Sequence, residues 1–279
     1  MSSQHARARP QLLLPIATAL MTLSLSAFGQ AGLQPSVPDV VGLVPDVPMQ
    51  DAYAKLKAYD RTARIGIAQM PPQGLGAQPV AYALSLAQNG TSSNEIIEED
   101  LTLPPHPQRV WRIVRTVRFP PGQQPLVKNL LSDLRQKYGP ESFANAGAIP
   151  NLHWYFNERG QRAVQGAGLT FSNCSGFSPP PTINPSVLQP ELSPLQIKLI
   201  QPVGAINVTL EPCRKLIAVN ATMELAADQE IAAQLLLSVE DYPLEVREHR
   251  VTVDFLNNAA NSQHQRQLNN ANEAPKTKL

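Results

Sequence analysis

The clearest pattern of hydrophobic and polar positions covers residues 109–119, "RVWRIVRTVRF", where apolar and polar side chains alternate. One face carries Trp111, Ile113, Val117 and Phe119, with Arg115 as the exception, and the other carries Arg112, Thr116 and Arg118. Such alternation predicts a strand of an antiparallel sheet that has one buried and one solvated side.

The next segment changes its period from two residues to that of a helix. Its apolar stripe consists of Val127, Leu130, Leu131, Leu134 and Tyr138, and Gly139 with Pro140 follows it. Because this spacing places the stripe on one side of a helix, and Gly and Pro end helices, the pattern predicts a helix over 127–138 that packs on the sheet.

Upstream of this pair, the pattern predicts one helix and three further strands. The helix covers 49–60, "MQDAYAKLKAYD", and the strands are "TARIGIAQ" (62–69), "PVAYALSLAQ" (79–88) and "EIIEEDLTL" (95–103), with Gly, Pro, Asn and Ser between them. Downstream, "NLHWYFN" (151–157) and "AVQGAGLTF" (163–171) predict a hairpin around the turn "ERGQ".

The last third of the chain predicts a second strand, turn and helix. Residues 215–225, "KLIAVNATMEL", form the predicted strand, and 226–243, "AADQEIAAQLLLSVEDYP", the helix, with a stripe through Ile231, Leu235, Val239 and Tyr242. Because both predicted helices end in a Tyr followed closely by Pro, the pattern suggests a weak internal duplication, and chance similarity between amphipathic helices is the alternative. A final segment from about Leu244 to Asn258 is interpreted as a helix, although "RVTVDF" also alternates like a strand.

Together these elements predict an α+β fold, in which two or three helices pack on an antiparallel sheet. The exported domain is expected over 49–256, and an organisation as two αβ halves at about 49–175 and 203–256 is the alternative. A Pro-rich loop at 178–202 joins the halves, since closely spaced prolines sustain neither a helix nor a central strand. Residues 257–279, rich in Asn, Gln and charge, are expected to form a flexible tail.

The first residues predict export. Arg7 and Arg9 precede an apolar run, and the small residues Ala27, Gly29 and Ala31 follow it, which is the pattern of a signal peptide over 1–29 cleaved between Gly29 and Ala31. An extended Pro-containing lead-in follows at 30–48. Export favours a periplasmic or secreted protein of a bacterium, without a transmembrane segment after cleavage.

Export also makes a disulfide the default interpretation of the only two cysteines, Cys174 and Cys213. Removal of two basic residues with the signal peptide changes the net charge from +1 to −1, that is, 21 Lys and Arg against 22 Asp and Glu. Nothing in this charge balance indicates a nucleic-acid partner. Asn-x-Ser/Thr glycosylation patterns occur at Asn89, Asn173, Asn207 and Asn220.

No motif predicts catalysis, a metal site or a cofactor. The chain has no HExxH, no Gly-x-Ser-x-Gly and no phosphate-binding Gly-rich loop, so the sequence predicts no catalytic residue, no metal and no cofactor.

The leading hypothesis is a non-enzymatic binding or scaffold protein of the bacterial cell envelope, with an envelope or secreted protein as its partner. Exposed aromatic and Arg side chains often dominate such contacts, and Trp111, Arg115, Trp154 and Tyr155 are the candidate contact residues. The alternatives are an envelope hydrolase that uses Asp100, Glu240 or Asp241, and a small-ligand carrier with an apolar cavity.

Overall fold

The computed structural model describes residues 37–70, 78–87, 95–145, 150–163 and 215–273. The three helices of these ranges are α1 (Met49–Tyr59), α2 (Val127–Tyr138) and α3 (Tyr242–Glu273). The eight strands are β1 (Arg64–Met70), β2 (Val80–Ala87), β3 (Glu95–Leu101), β4 (Val110–Arg118), β5 (Phe143–Asn145), β6 (Asn151–Phe156), β7 (Ile217–Leu225) and β8 (Ala232–Asp241).

All eight strands form one antiparallel sheet in the order β1-β2-β3-β4-β8-β7-β6-β5. The order contains two meanders of four strands, each preceded by a helix, which meet where β4 pairs with β8. We call residues 49–118 the N-terminal unit and residues 127–241 the C-terminal unit. The predicted α+β class with an antiparallel sheet is therefore confirmed.

The two units start their helices in the same way. Pro48, just before α1, forms an antiparallel bridge with Arg109, just before β4, and Leu126, just before α2, forms one with Ile231, just before β8. In each unit the first amide of the helix donates to the carbonyl of the residue before that bridge partner. Met49 N donates to Gln108 O at 3.0 Å, and Val127 N donates to Glu230 O at 2.8 Å. This shared connection shows a structural repeat of one helix and four strands.

The sheet has two different faces. The helix face packs against α1 and α2, and its core includes Leu84, Leu86, Ile97, Ile113, Trp154, Val219, Met223 and Val239. The opposite face, here called the polar face, carries Glu98, Asp100, Arg112, Thr116, His153, Tyr155, Asn220, Ser238 and Glu240. Since several of these polar residues are buried, the expectation of a solvated second side is wrong near the centre of the sheet.

Most of the predicted elements are present within one or two residues of their predicted bounds. The structure has α1, β1 to β4, α2, β6 and β7 where the hydrophobic pattern predicted them. In α2, the predicted stripe faces the core: Leu134 and Tyr138 are buried, and Val127, Leu130 and Leu131 pack against the same cluster. The three-residue strand β5 was not predicted.

The predicted helix over 226–243 is wrong, because residues 232–241 form β8. This strand lies at the centre of the sheet, between β4 and β7. Both of its faces are largely buried, so "AAQLLLSV" lacks the polar alternation that marks a half-exposed strand. The duplication inferred from two similar helices is therefore also wrong, and the repeat has the different bounds given above.

The final helix is confirmed and is longer than predicted. It begins at Tyr242, directly after β8, and continues to Glu273, so that residues 257–273 of the predicted tail are an exposed helical extension. Thr252 Oγ1 donates to Pro104 O at 2.7 Å, and His106 Nδ1 lies 2.8 Å from Glu248 Oε2. These contacts attach the first half of α3 to the loop between β3 and β4.

Several predictions fall wholly or almost wholly outside the described ranges: the signal peptide at 1–29, the second hairpin strand at 163–171, the Pro-rich loop at 178–202, the Cys174–Cys213 disulfide and the glycosylation patterns at Asn89, Asn173 and Asn207. Within the described part of the chain, no helix combines the length and the apolar character needed to cross a membrane.

Candidate functional site on the polar face

The two predicted contact residues of β6 lie in the core. Trp154 is completely buried on the helix face, where its Nε1 donates to Gly139 O at 2.8 Å and its ring lies 5.4 Å from that of Tyr138. Tyr155 is 1% exposed on the polar face and packs with Ala218 and Tyr242. Because consecutive strand residues point to opposite faces, these two aromatics do not share a surface.

The other two predicted contact residues also lie apart. Arg115 is on the helix face, where its Nε donates to Glu95 Oε1, the carboxylate that also accepts from Tyr59 Oη at 2.9 Å. Trp111 is half-buried at a register shift of β4, where Asp100 pairs with Arg112 and Leu101 with Val110. The structure therefore does not bring the four predicted residues together into one contact surface.

The structure instead brings together a set of polar residues that we call the central polar network: Asp100, Arg112, His153, Asn220, Ser238, Glu240 and Tyr242. Asp100, Arg112 and Glu240 occupy neighbouring positions on β3, β4 and β8. Arg112 Nε lies 3.0 Å from Asp100 Oδ2, and the two side chains are 7% and 17% exposed. The N–H is not aligned with that oxygen, so the contact is an ion pair rather than a hydrogen bond.

Glu240 accepts three hydrogen bonds within this network. Ser238 Oγ donates to Glu240 Oε1 at 2.9 Å, Asn220 Nδ2 donates to the same oxygen at 3.2 Å, and Tyr242 Oη donates to Oε2 at 2.6 Å. Both carboxylate oxygens are therefore occupied by donors from β7, β8 and the start of α3.

The network continues to the outer strands of the C-terminal unit through Asn220. The Nδ1–H of His153 donates to Asn220 Oδ1 at 2.7 Å, a direction assigned from the amide oxygen as acceptor. The His153 ring stacks on that of Tyr155, with 6.3 Å between centroids and 4° between planes. His153 thus has a fixed orientation, and its Nδ1 is already engaged.

Burial raises the pKa of two carboxyl groups of this region, Asp100 and Glu98. Burial raises the pKa of Asp100; Arg112 opposes this shift and the negative charge of Glu240 adds to it. Burial, together with the nearby Asp100, also raises the pKa of Glu98 to about 7. Glu98 lies next to Val114 and Ser85 across the strands and is half-buried, so it borders the network at its solvent side.

Two of the three carboxylates considered for a hydrolase, Asp100 and Glu240, lie in this network, and the third does not. Asp241 pairs with Ile217 on the other face, and its Oδ1 accepts from Leu244 N at 2.9 Å at the start of α3. Burial raises the pKa of Asp241, and the bond from Leu244 opposes that shift. Its observed role is therefore to cap a helix.

Among the described residues, no group of three or more His, Cys, Asp and Glu side chains could hold a metal ion. The network also assigns a structural role to one glycosylation pattern, because the Asn220 side chain is buried and bonded to His153, Ser238 and Glu240. A glycan cannot be attached to that amide in the folded protein.

Sequence reasoning missed Arg112, His153, Asn220 and Ser238 as members of one network. A signal was present, since each is a polar residue within a strand that also carries buried apolar residues, but it becomes informative only once the strand order is known. Comparison of the chain with protein-family models, with curated proteins and with solved structures gave no match.

Proposed function

We propose that the protein is an exported, non-enzymatic binding protein of the bacterial cell envelope that contacts its partner with the polar face of the sheet. The observation that supports this proposal best is the mutual engagement of the candidate acid and base groups. Glu240 accepts three hydrogen bonds, Asp100 is paired with Arg112, and His153 Nδ1 is bonded to Asn220. A network of satisfied polar groups stabilises one arrangement of a buried region.

The position of Arg112 argues against hydrolysis by the two carboxylates. Asp100 and Glu240 are separated by one strand, which corresponds to roughly 10 Å between their backbone positions. A substrate bond attacked by this pair would lie between them. The side chain of Arg112 comes from that intervening strand and is 7% exposed, so a buried arginine stands between the two carboxylates where the substrate bond would have to lie.

The proposed contact area is the part of the polar face that remains half-buried rather than buried. It includes Ser85, Ile96, Glu98, Thr222 and Leu236, on strands β2, β3, β7 and β8. These side chains combine apolar, hydroxyl and carboxyl groups beside a rigid network, a mixture typical of surfaces that bind proteins.

Photo-crosslinking tests this contact area. p-Benzoylphenylalanine is placed at Glu98 or at Thr222, and at Gln136 as an exposed control on α2. In living cells we expect the first two variants to yield the same crosslinked adduct, which mass spectrometry identifies, and the control to yield none of it. Identical adducts from all three positions, or none from the polar face, would contradict the proposal.

Export and the disulfide are proposed on the sequence alone and have a separate test. The intact mass of protein recovered from the envelope is expected to lack the first 29 to 31 residues. Alkylation is expected to label Cys174 and Cys213 only after reduction. A retained leader, or thiols that react without reductant, would contradict these two parts of the proposal.

A hydrolase is the second candidate, because Asp100 and Glu240 lie near each other with a His in the same network. It predicts that the purified protein releases product from peptidoglycan or an envelope peptide and that Asp100→Asn abolishes the release. If the wild type shows turnover and Asp100→Asn does not, the non-enzymatic proposal fails.

A further inference from the structure

A buried carboxyl group on the helix face takes no part in the polar network. Glu99 is 1% exposed and lies between Leu84 on β2 and Ile113 on β4, both of which are completely buried. Its Oε2 has no hydrogen-bond partner among the described residues. A buried carboxylate oxygen without a donor disfavours the charged form of the group.

The element above this carboxyl group is α1. Glu95, Ile97 and Glu99 follow one another on the helix face of β3. Tyr59 of α1 bonds to Glu95, and Lys55 of α1 lies within electrostatic range of Glu99. In α1, Ala52 and Leu56 are buried and Met49 packs against the same cluster, whereas α2 adds three packed residues, Val127, Leu130 and Leu131, to its two buried ones. A helix that is attached by so few apolar contacts belongs to the part of a fold that opens locally at low cost.

The charged groups around Glu99 leave it without a close partner. On the same face, Glu95 of β3 is bonded to Arg115 of β4, so these two charges compensate each other. Asp46 of the lead-in is bonded to Arg109. From β2 come Leu84 and Leu86, and from β1 come Ile65 and Ile67, all of them apolar. Lys55 is exposed and is the cation that acts on Glu99.

We propose that the protonated Glu99 carboxyl group is a pH-sensitive switch that keeps α1 docked on the sheet, and that its ionisation favours release of the helix. Release places the carboxylate in water and exposes Leu84, Leu86 and Ile97. The device would make the accessibility of this apolar surface depend on the pH of the compartment.

The acidity of Glu99 sets the pH range of the switch. Burial raises the pKa of Glu99 to about 7 from 4.5, and Lys55 opposes the shift. In the released state the ordinary value applies, so opening becomes more favourable as the pH rises from about 4.5 to about 7 and then levels off. The total change in the opening equilibrium is about 300-fold, since each pH unit within that interval contributes about tenfold.

Hydrogen exchange measured from pH 4.5 to 8 tests the switch, with α2 as an internal reference. After correction for intrinsic exchange, we expect the protection of α1 amides relative to α2 amides to fall about 300-fold and then level off. Glu99→Gln and Glu99→Leu remove the carboxyl group and should abolish the dependence; two variants of different polarity keep the test valid if one of them fails to fold. Glu98→Gln, the neighbouring carboxyl on the polar face, should retain it.

Three results would overturn the switch. One is a flat wild-type profile, and another is a profile that persists in both Glu99 variants. The third is a parallel loss of protection in α1 and α2, which would link the carboxyl group to the whole fold rather than to the docking of one helix.

Discussion

The N-terminal and C-terminal units share one design and differ in what lies beneath their helices. In the C-terminal unit, α2 packs on the completely buried Trp154, whose Nε1 also donates to the carbonyl of Gly139, the residue after the helix. In the N-terminal unit, α1 covers a strand that places two carboxylates, Glu95 and Glu99, on the helix face. The same backbone arrangement thus has one apolar interior and one that contains acidic groups.

This difference teaches that a repeated unit can keep its topology while its stability changes. The bridges Pro48–Arg109 and Leu126–Ile231 involve backbone groups, so they tolerate different side chains. Packing beneath the helix depends on side chains and differs strongly. We therefore expect the C-terminal unit to be the more stable of the two and the N-terminal unit to be the more responsive to pH.

The largest effect is expected from Trp154→Ala. The substitution leaves a cavity beside Tyr138 and removes the hydrogen bond to Gly139 O, so the free energy of unfolding should fall by about 3 to 5 kcal/mol. Urea denaturation followed by circular dichroism measures the loss. Trp111→Ala removes the half-buried tryptophan of the N-terminal unit and should cost clearly less. Equal losses would contradict the comparison.

A smaller effect is expected at the junction of the units. Glu240→Ala removes the acceptor of Ser238, Asn220 and Tyr242 and should reduce the free energy of unfolding by roughly 3 kcal/mol, since buried donors lose their partner. Glu230→Ala, an exposed glutamate in the loop before β8, is the matched control and should change stability by less than about 0.5 kcal/mol. Thermal unfolding of both variants provides the measurement, and similar losses would show that the network contributes little.

The smallest effects compare the tyrosines that end the two helices. Tyr138→Phe removes a partly buried hydrogen bond from a buried side chain to Asp39 O and should cost about 1 kcal/mol. Tyr59→Phe removes the bond to Glu95, but this side chain is 38% exposed and water can replace the hydroxyl, so we expect a few tenths of that. A larger loss for Tyr59→Phe than for Tyr138→Phe in the same denaturation experiment would reverse the order proposed for the two units.

Half-exposed elements could be predicted from the sequence because each shows its own period. The stripe of α2 reflects one side of that helix in the core. The strand β4 alternates although both of its faces are largely buried, because its polar-face positions include the polar residues Arg112 and Thr116. The sequence of residues 232–241 does not show the period of a strand, because both faces of β8 are largely buried and carry apolar side chains. Alternation alone also shows that Trp154 and Tyr155 face opposite sides, so the sequence by itself argues against a contact surface that contains both.

By itself, the sequence determined the α+β class, the bounds of most elements and the expectation of export, since these follow from local periods and composition. Only the tertiary structure decided that the helix and four strands are repeated, and that Asp100, Arg112, Asn220 and Glu240 meet on one face. The physical reason is strand order. Residues more than 100 positions apart become neighbours only when β4 pairs with β8, and no local pattern specifies that pairing.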